Sequence, residues 1–291
     1  MFADGATARR FDEWLGPQDR DKDCSVLQFV SKCAIGQIGQ RIRHRPATQA
    51  IPPTTKQRSP SGSNRTLTMK KTNLLDQTTT VDGKPMTLHE HDGVVMIRID
   101  GQELMSTRQH YSEERIAQLA CAHITTQSPG ASVLIGGLGL GFTLRAALKS
   151  LAADAAVLVA EIMPAVIQWN LNAEYNLGRD AMLDPRVEMI QADVADVLHQ
   201  SPGRFDSIIL DIDNGASGMS VQSNSRLYEV AGLQMAKSAI KAHGCLAVWS
   251  ASDDPAFVQR MRQCGFRVTV ERARTHPSGG AQNALFIGRV P

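Results

Sequence analysis

From about residue 130 to the C-terminus, short apolar runs alternate with stretches of helical periodicity, and the last two runs follow each other with no helix between them. The first five runs are 132–136, 156–160, 187–191, 207–210 and 245–249. Each is nearly continuous in β-branched and aliphatic residues, as strands buried on both faces are. Helices are expected over 142–151, 164–175, 226–242 and 255–264. Pro164 suits a first helical turn, and Gly265 suits a C-terminal stop. The closing runs, 266–274 and 284–290, predict an antiparallel pair at one edge of the sheet. The pattern specifies an α/β fold with a doubly wound, mostly parallel, seven-stranded sheet.

The segment before it reads differently. Asp-Gly pairs recur at Asp82-Gly83, Asp92-Gly93 and Asp100-Gly101. Asp-Gly supplies the positive φ angles of tight hairpins, and β-branched runs such as 94–99 lie between the pairs. Residues 69–110 therefore read as a small antiparallel β-meander. It is too short for a core of its own and is expected to pack on the main domain or on a partner subunit. A helix should follow, with Ser112 as N-cap and Glu113 and Glu114 in its first turn. Residues 1–68 are polar, rich in Arg, Gln, Ser, Thr and Pro, and aperiodic, and read as a disordered extension. Met69-Lys70-Lys71 also looks like an ordinary cytosolic beginning. Residues 111–291 make up the α/β domain.

Five cysteines, none in a C-x-x-C pair, point to free thiols in a reducing compartment, hence a cytoplasmic location. No His stands at zinc-ligand spacing from them, so no metal is expected. The net charge of +2 over 291 residues gives no reason to expect nucleic acid or an anionic membrane as partner.

Residues 133–148 read VLIGGLGLGFTLRAAL. A strand runs into Gly137, Gly139 and Gly141 and then into a helix. Glycine allows the tight turn and a close backbone approach, and the helix N-terminus offers free N–H groups to a polar ligand. A tight turn without ligand is the alternative. Glu161 ends the next strand, about twenty residues on, where a carboxylate can accept both hydroxyls of a ribose. Asp193 ends the third strand. It can accept the exocyclic amine of adenine or simply cap the following helix. Residues 208–213, IILDID, deliver Asp211 and Asp213 to the carboxyl end of the fourth strand, the edge where open α/β sheets bind ligands. Two acids there can hold a cationic amine and take its proton. An Asx-turn that shapes the loop is the alternative.

Five alternating units closed by a hairpin is the layout of Rossmann-like, class I methyltransferase-type domains. From about residue 94 the chain resembles the spermidine synthase-like (polyamine aminopropyltransferase) family. The resemblance rests on Asp100-Gly101, Tyr111-Ser112-Glu113, the glycine loop with Thr143-Leu144-Arg145, Glu161, Asp193 and the FDSIILD of residues 205–211. It implies a transferase of polyamine biosynthesis, with decarboxylated S-adenosylmethionine as donor and a polyamine as small-molecule acceptor. It also implies that Glu161 binds ribose, Asp193 binds adenine, Asp211 deprotonates the amine, Asp213 and Tyr111 hold the acceptor, and the chain forms a homodimer. The chain departs from the family at four places, one of them a shorter segment between Asp100-Gly101 and Tyr111. Leu140 stands where the family carries an acid facing the donor amine. Asn214 takes the place of a second aspartate, and Met163 replaces an aspartate after the ribose acid. A neutral Leu140 leaves methyl transfer from intact S-adenosylmethionine open, as well as a non-catalytic role in binding a nucleoside.

Overall fold

Two tight turns shape the first sheet. Asp92 and Gly93 have φ of 53° and 75°, and Asp100 and Gly101 have 50° and 77°. Positive φ at both central residues matches the twist of the strands they join. These turns connect β2 (Pro85–His91) to β3 (Val94–Ile99) and β3 to β4 (Gln102–Ser106), with His91 opposite Val94 and Ile99 opposite Gln102. With β1 (Asn73–Thr79) they form an antiparallel meander in the order β1-β2-β3-β4. The computed structural model of the chain describes residues 71–124, 129–212 and 225–291, all within one unit, Thr68–Pro291. The expected N-terminal extension and Asp213 and Asn214 lie outside the described residues.

The meander turns Met86, Leu88, Val95 and Ile97 into the same core as the main sheet. Two polar ties fasten β1 to the α/β domain. The Trp169 indole donates to Asp76 Oδ2 at 2.7 Å, and the Tyr175 hydroxyl donates to Leu75 O at 3.3 Å.

The main sheet contains β5 (Ser132–Gly136), β6 (Ala156–Glu161), β7 (Val187–Gln191), β8 (Phe205–Leu210), β9 (Ile240–Ser250), β10 (Arg267–His276) and β11 (Gly279–Arg289). Its order is β10-β11-β9-β8-β5-β6-β7. β5 through β9 pair in parallel, whereas β11 runs antiparallel to both β9 and β10. The chain leaves β5 towards β6 and β7, then crosses back to β8 on the other side. The carboxyl ends of β5 and β8 therefore form the switch point, where an α/β sheet opens a crevice for ligands.

Eight helices lie among the described residues: α1 (Tyr111–Cys121), α2 (Phe142–Ser150), α3 (Pro164–Leu171), α4 (Arg179–Met182), α5 (Val194–His199), α6 (Ser225–Tyr228), α7 (Val230–Ala239) and α8 (Pro255–Gln263). Three of the expected helices come out differently. The long helix over 226–242 is broken at Glu229, which is extended, and β9 begins already at Ile240. Gly232 explains the break, because a Cβ there would lie 2.3 Å from Arg226 O where the chain folds back. Val230 is exposed, while Leu227 and Leu233 are buried. The helix expected to reach 175 stops at Leu171. Finally, α1 starts one residue before Ser112, and its N-cap position is His110. His110 stacks on Phe142 at 4.1 Å and pairs with Glu114 at 3.1 Å.

Cys121, Cys245 and Cys264 are free and buried. Burial pushes the thiol of Cys121 up to about 12 and that of Cys245 up to about 11, so both stay protonated. No helix among the described residues is long and apolar enough to cross a membrane.

Candidate active site at the sheet switch point

The glycine loop is bound to both neighbouring strands. Gly137 N donates to Ala160 O of β6, and Asp211 N donates to Gly136 O, each at 2.9 Å. Gly137 has φ of 90°, and a Cβ on it would lie 2.2 Å from the backbone oxygen of Asp211. Only glycine lets the two strand ends approach this closely. Gly139 and Gly141 also have positive φ and pack against Met105 and Gly178. Gly141 caps α2 without any side-chain bond, so the helix presents backbone N–H groups at its start. Leu140 is almost fully buried, at 1% exposure, and belongs to the core.

Glu161 is buried at the end of β6. Its two carboxylate oxygens accept from Leu138 N at 2.9 Å and Met163 N at 2.8 Å. Burial pushes its carboxyl up, and these backbone N–H groups pull the other way. The backbone N–H groups of Gly139 and Ile162 also bond to this carboxylate. Asp193 caps α5, accepting from Ala195 N at 2.9 Å, and its other oxygen pairs with Arg226. The capping alternative is therefore realised in the structure, and the remaining lone pairs are what Asp193 has left for a ligand.

Asp211 follows the last residue of β8. Its Oδ2 accepts from Thr143 Oγ1 of α2 at 2.5 Å. The same hydroxyl lies 3.4 Å from Glu113 O of α1, so the acid end of β8 and the starts of two helices converge there. Glu113 is the residue that sequence reasoning missed. Its side chain points inward, only 6% exposed. Burial first, and the charge of Asp211 second, push its carboxyl up to about 7, while the bond from Ser112 pulls it down.

Ser112 Oγ donates to Glu113 Oε2 at 2.6 Å and accepts from Trp249 Nε1 at 3.1 Å and Asn283 Nδ2 at 3.0 Å. The indole N–H and the amide NH2 can only donate, so the one hydroxyl proton of Ser112 is directed to Glu113. Trp249 of β9 and Asn283 of β11 thus fix the acid through a buried serine. A signal for this was in the sequence. Glu113, Ile116, Ala117 and Ala120 recur at i, i+3, i+4 and i+7, and all four are buried, so the acid sits within the apolar stripe of its helix.

Tyr111 lies two residues before Glu113, about 200° around the helix. It is exposed and lines a cleft of about 380 Å³ with Arg115, Glu271, Arg272 and Arg274. Arg115 closes one wall with a two-point contact to Glu271, at 2.6 and 3.2 Å. Tyr228 packs edge-on against Phe257 of α8. Among the described residues no cluster of three or more metal-ligating side chains occurs.

No protein-family model and no curated protein sequence matches the chain. Solved structures do match in fold. A spermidine synthase from Thermotoga maritima superposes with a TM-score of 0.57 at 21% identity, over 75% of this chain and 73% of that one. A spermidine synthase in complex with the transition-state analogue AdoDATO gives 0.56 at 20% identity, covering 75% and 72%. A probable spermidine synthase from Corynebacterium glutamicum gives 0.51 at 14% identity, covering 75% and 79%. At this identity the likeness establishes the fold, a small β-sheet joined to a class I methyltransferase-type domain.

Proposed function

We propose that the chain is a transferase that moves an alkyl group from an S-adenosyl sulfonium donor to an amine, and that the amine is that of a polyamine. The observation that carries this reading is the pair of acids at the switch point. Asp211 ends β8 beside the glycine loop, and the buried Glu113 lies close enough to feel its charge. Two acids at one sheet edge suit a cationic acceptor, and fold neighbours that are spermidine synthases suit the same chemistry.

In this reading Glu161 accepts the ribose hydroxyls, Asp193 accepts from the adenine amine, and the loop of Gly137, Gly139 and Gly141 brings backbone against the donor. The donor supplies an electrophilic carbon and a neutral thioether leaving group. Asp211 takes the proton from the bound ammonium. The freed nitrogen lone pair forms the new C–N bond as the C–S bond breaks, and that electron pair stays on sulfur. Thr143 holds the Asp211 carboxylate in place, and Asp213 holds the rest of the acceptor; Tyr111, expected from the resemblance to share that task, faces a separate cleft lined by three arginines. Aminopropyl transfer leaves methylthioadenosine.

One observation favours a second reading, methyl transfer leaving S-adenosylhomocysteine. Leu140 is buried in the core and offers no charge to the donor's amino end. Calorimetric titration with S-adenosylmethionine and with its decarboxylated form separates the two. Tighter binding of the decarboxylated form supports aminopropyl transfer, and tighter binding of the intact form supports methyl transfer. A Glu161→Ala protein that binds either nucleoside as well as wild type contradicts the ribose assignment.

A further inference from the structure

We propose that a cleft between the turn before α1 and the β10–β11 hairpin is a binding site for a phosphate group, separate from the donor and acceptor sites at the switch point. The inference does not depend on the transfer reading above.

Two segments build the cleft, which has a volume of about 340 Å³. Arg108 and Gln109 line one side. They lie in the turn that leads from β4 to α1, where Gln109 N donates to Ser106 O at 3.2 Å. The hairpin supplies the other side with residues 275–276 and 278–280. β11 pairs with the end of β9 only from Ala284 onward, so the hairpin tip runs past the carboxyl edge of the parallel strands.

The lining is rich in donors and holds no Asp or Glu. Arg108 has no ion pair or hydrogen bond among the described residues, whereas the neighbouring Arg115 and Arg272 are bound to Glu271 and Asp253. The backbone N–H of Ser278 donates to His276 Nδ1 at 3.2 Å. A ring nitrogen that accepts carries no proton, so the proton of a neutral His276 stands on Nε2, which is left to donate. Thr275 is only 8% exposed, and its hydroxyl has no hydrogen-bond partner among the described residues. A buried hydroxyl in that state is a cost to the fold that an acceptor in the cleft would remove. Gly280, where a Cβ would lie 2.3 Å from that hydroxyl, leaves it room, and Gly279 has open space where a Cβ would stand. A guanidinium, an imidazole N–H and the Gln109 amide thus meet from two walls with a fixed positive charge and no competing carboxylate. Such a set suits an oxygen-rich anion. A tetrahedral phosphate presents acceptors to both walls, whereas a carboxylate presents them in one plane. The cleft is larger than the phosphate alone, so both the inorganic ion and a phosphomonoester share the chemistry it recognises.

The test is calorimetric titration of the full chain with inorganic phosphate at constant ionic strength, with the amide signals of Gly279 and Gly280 followed by NMR. The expected result is saturable binding of one phosphate per chain, with shifts at both glycines. Affinity should fall about tenfold or more in Arg108→Gln, the loss of one charge-assisted contact. Arg267→Gln is the control: Arg267 is exposed and without a partner at the opposite end of β10, so its loss should leave the affinity unchanged. Neither arginine holds the fold together, so both variants should fold. No saturable binding, an equal loss in the two variants, or shifts at the loop of Gly137, Gly139 and Gly141 in place of Gly279 and Gly280 overturns the site. Two further titrations fix the occupant. Acetate that binds as well as phosphate overturns the choice of phosphate. Glycerol 3-phosphate that binds tighter than the inorganic ion supports a phosphomonoester as occupant, and weaker binding of the ester supports the free ion.

Discussion

A carboxyl group in the apolar stripe of a helix destabilises the fold whenever it ionises, and Glu113 stands in that position. Its folded value, about 7, lies above its ordinary value of 4.5. A raised carboxyl contributes stability that is fully present below about pH 4.5 and lost as pH rises through about 7. Wild type should therefore lose on the order of 3 kcal/mol relative to Glu113→Gln between those limits. Urea unfolding of both proteins at pH 5 and pH 8 checks this, and parallel stability at the two pH values would contradict it. Ser112 is the second residue-scale case. Ser112→Ala removes the acceptor of the Trp249 indole and the Asn283 amide and the donor to Glu113. The expected loss is about 1–3 kcal/mol for the buried groups left without a partner. The Glu113 midpoint should also move to higher pH, since the serine bond holds it down. An unchanged midpoint would mean that the hydroxyl proton is directed elsewhere.

At the scale of elements, two junctions position the site. The first is the contact of the glycine loop with the end of β8. Gly137→Ala combines a φ of 90° with a Cβ 2.2 Å from Asp211 O, so either the loop or Asp211 must move. We expect a loss of at least about 2 kcal/mol in urea unfolding, with donor binding weakened along with it. The second junction is the tie of β1 to α3 through Asp76 and Trp169. Asp76→Ala should leave the main sheet intact and speed amide hydrogen exchange in β1 selectively. Uniform change across both sheets would contradict that tie.

Most of these elements were legible in the sequence. The two-residue turns followed from Asp-Gly, and the doubly wound sheet with its antiparallel edge followed from the strand and helix periods. What the sequence hid depended on tertiary approach. The fold-back at Gly232 and the break at Glu229 come from a backbone contact that no local propensity encodes. Ser112 has the right chemistry for an N-cap, but its hydroxyl is claimed by residues 137 and 171 positions away in the chain. The same holds for the site. Glu161, Asp193 and Asp211 were singled out because they stand at or just beyond strand ends, where the structure also has them. Glu113 and Thr143 were missed because their roles depend on which helix face meets β8.

At the scale of the whole molecule, the meander and the α/β sheet share one core, and the switch point between β5 and β8 carries the acids. The arrangement matches spermidine synthases in fold, while Leu140 replaces a charge that the resemblance implies at the donor end. The central claim is transfer from an S-adenosyl donor to an amine. The most direct test is to incubate the purified chain with putrescine and either donor, and to identify the nucleoside released. The account predicts methylthioadenosine from the decarboxylated donor, at a rate that falls by about a hundredfold or more in Asp211→Asn. Release of neither methylthioadenosine nor S-adenosylhomocysteine, or a rate unchanged in Asp211→Asn, would contradict it.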